Sequence, residues 1–191
     1  MKKFLCCTKH ILDKTKIFDF LPLLLLRLYL VPVFWMAGTN KLNHIESTIA
    51  WFGNPDWGLG LPFPTLMAYS AAITEVTGAV LLLIGVFTRW ISIPLMVVML
   101  VAIFTVHWDH GWLAIADSSH PGTIKLNEFL AWLETQSPAR HADITSHGTP
   151  IILQNGIEFA ATYFVMLLTL FFYGAGKYFS IDYWVSKWYC S

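Results

Sequence analysis

Charge is the first thing this chain is short of. Acidic and basic residues together make up 13% of its 191 positions, twelve of each sign, about half the charged fraction of an ordinary soluble domain. With no basic excess, the electrostatic footprint that nucleic-acid binding needs is missing. Cysteine is scarce too. Cys6 and Cys7 are adjacent, Cys190 is next to last, and no CxxC pair exists; neither a disulfide framework nor a zinc site is indicated. The chain also lacks a nucleophilic triad, a phosphate loop, a zinc-hydrolase motif and any internal repeat, which argues against a hydrolase.

What is there is apolar. Hydrophobic residues are 56% of the chain and aromatics 16%, more than a fold of this size can bury away from water, so lipid is the simpler solvent. A helix crosses the hydrocarbon core with about 20 apolar residues. Four stretches qualify: Leu21 to Asn43, interrupted by Arg27, Pro32 and Lys41; Leu66 to Phe87, with Glu75; Trp90 to His107, with Pro94 in its first turn; and Ile151 to Tyr173, with Glu158. The expected fold is all-α, an integral membrane four-helix bundle with short connections, the second and third spans joined by the turn Thr88-Arg89.

Lys and Arg set the direction. Lys2, Lys3, Lys9, Lys14 and Lys16 precede the first span, Arg89 lies between the second and third, and Lys177 and Lys187 follow the fourth. The other loops, 44–65 and 108–150, hold only Lys125 and Arg140 against seven acidic residues. Both termini are therefore expected on the cytoplasmic side of a bacterial inner membrane. The opening residues have no uninterrupted apolar core or small-residue cleavage site and read as a retained lead (1–20), followed by a membrane domain (21–184) and a tail (185–191). Cys6 and Cys7 read as spectators beside that basic lead, reversible acylation being the alternative. In outer loop 108–150, Ile124, Leu126, Phe129, Leu130 and Leu133 recur at helical spacing, which predicts an amphipathic helix on the membrane surface or over the bundle. Gly53 to Pro64 is too rich in Gly and Pro for regular helix.

Several landmarks together resemble the DoxX family of small four-span membrane proteins: Arg27, Gly38 and Lys41 in the first span, Glu75-Val-Thr-Gly78 in the second, the turn Leu82-Leu-Ile-Gly85-Val-Phe-Thr88-Arg89, Glu158 in the fourth, and Gly176-Lys177-Tyr-Phe-Ser180-Ile-Asp182. The chain departs from many relatives in having Ala37-Gly38 where they have His-Gly. Its long third loop looks like that of DoxX-type proteins associated with maturation or export of copper-binding modified peptides. The resemblance implies a quinone-linked electron-transfer subunit, a membrane partner of a redox enzyme, or a protein without its own chemistry, and fixes architecture better than activity.

Ionisable groups inside a span are costly and mark interior or functional positions. At about 1.5 Å per residue, Lys41 lies roughly 3 Å, Glu158 roughly 10 Å and Glu75 roughly 13 Å below the outer ends, with Arg27 about 9 Å from the inner boundary. Lys41, Glu75 and Glu158 are the candidate reactive groups, a polar layer that would hydrogen-bond a quinone headgroup or relay protons, with Lys41 reaching down toward Glu158. Arg27, which would snorkel inward or reach toward Glu75, and Asn40 complete the candidate polar network. The alternative is an ion-pair network that only fixes helix register. Six of the seven histidines fall in outer segments. His44, His107 and His110 are the best candidates for copper or another metal, the last two sharing a face if the third helix continues. The methionines read as packing, Gly78 and Gly85 as points of close helix approach, and Asn155-Gly156 as a helix entry. Quinone and copper both stay open as cofactors, as do a homo-oligomer and a protein partner docked on the outer loop.

Overall fold

A computed structural model describes residues 16–189; Cys6, Cys7 and Cys190, with most of the lysines of the lead, lie outside them. The described residues form helices α1 (Leu21–Asn43), α2 (Ile45–Gly53), α3 (Pro64–Ile84), α4 (Thr88–Ala102), α5 (Pro121–Gln136), α6 (Pro138–Thr145), α7 (Glu158–Tyr173) and α8 (Ile181–Tyr189). One isolated bridge, Ile115 to Leu153, is the sole extended pairing among them. Among the described residues three helical stretches are long and apolar enough to cross a membrane: α1, α3 and Thr88–His110, which is α4 with its continuation. The chain divides into two compact units, one of residues up to Leu100 with those from Tyr163 onward, the other Val101–Thr162.

In the first unit, α1 and α3 run antiparallel with matched faces. On α1 the buried positions are Arg27, Leu30, Phe34 and Gly38. On α3 they include Ala68, Ala72, Glu75, Ala79 and Leu82. Each set steps by three or four residues, one stripe of a helix. Leu30, Phe34, Ala79, Leu82, Leu95, Met99, Leu167 and Leu170 form one core, to which the second half of α7 contributes. The opposite faces are apolar and bare: Leu25, Leu28, Trp35, Ile73, Val80, Leu83, Val97 and Val165 are each more than 40% exposed. An apolar rim around a packed core, on helices that satisfy their own backbone, is what lipid selects. The chain is an integral membrane helical protein.

The connection between α3 and α4 differs from the predicted one. The turn is Gly85-Val86-Phe87, and Thr88 and Arg89 already belong to α4. Gly85 is left-handed (φ 70°), and the N–H groups of Gly85 and Val86 both return to the Leu81 carbonyl. This closes α3 with the αL residue usual at helix ends. Asp182 then caps α4: its two oxygens accept from Phe87 N–H (2.9 Å) and Thr88 N–H (3.0 Å). Asp182→Ala is expected to cost about 1–2 kcal/mol, and Asp182→Asn less, in detergent unfolding followed by circular dichroism. Because α4 starts at Thr88, Pro94 sits in its second turn instead of its first, and leaves the Trp90 carbonyl without its i+4 donor.

The fourth predicted span is also shorter. Helix α7 starts at Glu158 and has 16 residues, about 24 Å of rise against roughly 30 Å of hydrocarbon. Ile152 to Glu158 instead follow an irregular path in the second unit. Their backbone pairs with Gly111 to Ala116, through Ala116 N–H to Ile152 O, Gln154 N–H to Ala114 O and Ile157 N–H to Gly111 O. Asn155 takes φ 62° at this entry.

Elsewhere in the second unit, α4 loosens into a π-helical stretch, Ile103–His107, and a 3₁₀ turn, Trp108–His110. The predicted amphipathic helix exists as α5. Leu130 and Leu133 are buried, and Ile124, Phe129 and Trp132 are about half exposed. Asp117, before α5, accepts from the N–H (2.9 Å) and hydroxyl (2.7 Å) of Ser119. Those bonds hold its carboxyl below the usual carboxylate range.

Candidate functional site in the first unit

The Cα–Cβ bonds of a helix tilt toward its amino terminus. On antiparallel α1 and α3 that tilt sends Lys41 down the bundle and Glu75 up, so the two side chains converge. Lys41 Nζ lies 2.8 Å from Glu75 Oε1 and 2.7 Å from Oε2. The Glu75 side chain is 3% exposed and the Lys41 side chain 24%. The pair is thus sealed on its carboxylate side and accessible on its ammonium side. An ammonium has three N–H donors and Glu75 takes two, which leaves one for a further acceptor.

Gly38 sets the distance between the helices one turn away. A Cβ there would stand 2.7 Å from Val76 Cγ2, 2.9 Å from the Val76 nitrogen and 3.0 Å from the Ala72 carbonyl oxygen. Two of those three atoms are backbone and cannot swing aside. Gly38→Ala is expected to spread α1 from α3, to cost about 1–3 kcal/mol, and to weaken whatever depends on the Lys41–Glu75 contact. Unfolding of the variant beside its functional assay would separate the two effects.

The other candidates fall elsewhere. Glu158 opens α7 in the second unit, half-buried, and its Oε2 accepts Ala114 N–H at 3.0 Å. Its expected depth assumed a helix starting at Ile151, and the partner of Lys41 is Glu75 instead of Glu158. Asn40 is exposed, and its carbonyl accepts from the backbone N–H of His44. Arg27 neither snorkels nor approaches Glu75; it is fourteen residues, about 21 Å of helix, from Lys41. Its guanidinium is buried and donates to four carbonyls, Leu82 (2.8 Å), Ala175 (2.7 Å), Leu83 (3.2 Å) and Phe179 (2.9 Å). Leu82 and Leu83 end α3, where carbonyls lack intrahelical donors and a cation is favoured. Arg27 is therefore a structural lock, and the mark in the sequence that could have revealed it is Gly85. A Cβ on Gly85 would meet Arg27 Nη1 at 2.6 Å.

The histidines are dispersed. His107 Nδ1 lies 2.7 Å from the Asn155 carbonyl, and the His110 carbonyl accepts from Gln154 Nε2 at 2.9 Å. The π-helical stretch breaks the spacing that would have put both rings on one face. His44, in the first unit, has Nδ1 3.1 Å from the Asn40 carbonyl. Among the described residues no three His, Cys, Asp or Glu side chains gather as a metal site requires.

Comparison with known proteins places this geometry in context. The family model described as DoxX matches residues 22–108, which hold Arg27, Gly38, Lys41 and Glu75. "Putative oxidoreductase CatD" of Bacillus subtilis (strain 168) is 36% identical over 83 residues, 44% of this chain and 58% of that protein. "Inner membrane protein YphA" of Escherichia coli (strain K12) is 30% identical over 102 residues, 53% of this chain and 69% of that protein. The chain thus spans less than two thirds of the first of these relatives. No solved structure matches it significantly.

Proposed function

The chain belongs to the DoxX family, and from that premise we propose that it is an accessory subunit of a redox system in the bacterial inner membrane, with the Lys41–Glu75 pair as its quinone and proton site. The observation that carries this reading is the asymmetry of the pair, a sealed carboxylate holding an ammonium that is open on one side. A quinone carbonyl could accept the third N–H of Lys41. Two-electron reduction of a quinone takes up two protons, and Glu75 and Lys41 would pass them while a partner supplies the electrons. One relative's name, oxidoreductase, supports the class of chemistry. The lysine-rich ends would face the cytoplasm and place Lys41 nearer the outer leaflet. To test the proposal, Glu75→Gln is introduced and both folding and quinone-dependent activity in native membranes are followed. Intact folding with activity lowered by about 10²-fold or more supports a proton role; intact folding with unchanged activity sinks it.

A second reading has its own observation. Ile124, Phe129 and Trp132 stand about half exposed on α5, the last two with ring centroids 5.9 Å apart. Such a patch on a long loop suits a docking protein of a maturation or stress-response assembly. Phe129→Ser with Trp132→Ser is expected to abolish co-purification of that partner while the bundle stays folded. Retained co-purification would discard docking through α5.

A further inference from the structure

At the Arg27 end of the first unit lies a cavity of about 650 Å³, remote from the ion pair. Helix α8 forms one wall. On α8, Ile181, Trp184, Val185 and Trp188 recur at spacings of three, one and three, all 45% exposed or more. From its other side Asp182, Tyr183 and Ser186 line the cavity. A helix that turns its polar side to the protein and its apolar stripe outward has lipid as the solvent for that stripe. Its two tryptophans, with Lys187 5.4 Å over the Trp184 ring, are of the kind found at the headgroup level. The cavity therefore opens where lipid headgroups lie.

The charges lining it are unequal in what they have left to offer. Lys177 is paired with Asp19 at 2.6 Å. Asp182 spends its oxygens on the cap of α4. Arg89 donates through one nitrogen to the Phe172 carbonyl and has no carboxylate partner among the described residues. Arg89 lines the cavity with Trp90 and Tyr173, and its guanidinium is a cation that can take phosphate oxygens with its remaining donors.

We propose that this cavity holds the phosphate of an anionic phospholipid, with Arg89 as its cation, α8 as the lipid-embedded flank and Trp90 and Tyr173 against the glycerol and upper acyl chain. The chemistry recognised is a phosphate ester, which free phosphate shares in part.

The test uses the full chain in nanodiscs of phosphatidylcholine containing phosphatidylglycerol, with retained lipids counted by native mass spectrometry. Phosphatidylglycerol should be retained over phosphatidylcholine. Arg89→Gln should lower that preference about five-fold, while Arg89→Lys keeps most of it. Lys177→Gln, which touches no part of the Phe172 contact and leaves Asp19 unpaired at the cavity, should also lower it and stands in if Arg89→Gln does not fold. Millimolar inorganic phosphate should not displace the lipid. Equal retention of the two lipids by the wild type, or unchanged preference in the glutamine variants, would overturn the site. Displacement by phosphate would overturn the lipid as its occupant.

Discussion

Replacing Lys41 with Met is expected to destabilise the folded protein by about 3 kcal/mol or more, and replacing Lys41 and Glu75 together with Met and Leu is expected to recover most of that loss. The single change strands a carboxylate whose side chain is 3% exposed, with no other side-chain partner among the described residues. The double change removes both charges and puts apolar volume where Gly38 already holds the helices close. Replacing a buried pair with apolar residues is often neutral, whereas breaking one is not, because desolvation is the dominant cost. Lys41→Met alone should also exceed Glu75→Gln, since the amine is 24% exposed and can turn outward while the carboxylate cannot. Unfolding in mixed micelles of rising dodecyl sulfate fraction, read by circular dichroism, gives all three values. If the double variant were as unstable as the worse single one, the pair would be a structural necessity and the case for a functional one would weaken.

Arg27→Leu is expected to be at least as damaging, about 3–5 kcal/mol, and Arg27→Lys to recover only part of it. The guanidinium fork reaches four carbonyls on two segments, the end of α3 and the Ala175–Phe179 stretch. Leucine leaves those carbonyls buried without donors, at about 1–3 kcal/mol for each one that cannot find water. Lysine offers three donors from one point and cannot match a planar fork. Gly85→Ala should act through the same lock. It forces a side chain into a left-handed backbone position and against the guanidinium at once, so its loss should be non-additive with Arg27→Leu in a double-mutant cycle. Additive losses would show that Gly85 matters for its turn alone.

How much of this could be read from the sequence depended on which force fixed each feature. Helix α1 was legible to the residue, because a long apolar run bounded by polar segments has one solution in lipid. The start of α7 was not. Ile151 to Ile157 is as apolar as a helix entry needs to be, but its backbone hydrogen bonds go to Gly111 to Ala116, and composition carries no record of such non-local pairing. Lys41, Glu75 and Arg27 were legible as costly charges, but their partners were not. Choosing Glu75 over Glu158 for Lys41 requires knowing that α1 faces α3 with Gly38 against Ala72 and Val76. The acceptors of Arg27 are backbone carbonyls, which no side-chain pattern announces. In α5 the helical period was legible, but which of its apolar residues turn inward was not: Leu130 and Leu133 are buried while Ile124 and Phe129 stay about half exposed.

The most direct measurement is equilibrium binding of a short-chain quinone to the purified protein in nanodiscs, comparing the wild type with the folded Lys41→Met, Glu75→Leu double variant. A polar site at this pair requires binding by the wild type and a loss of about tenfold or more in the variant, the equivalent of one charge-assisted hydrogen bond. Equal affinity in two folded proteins would contradict it and leave the ion pair as a fastener between α1 and α3.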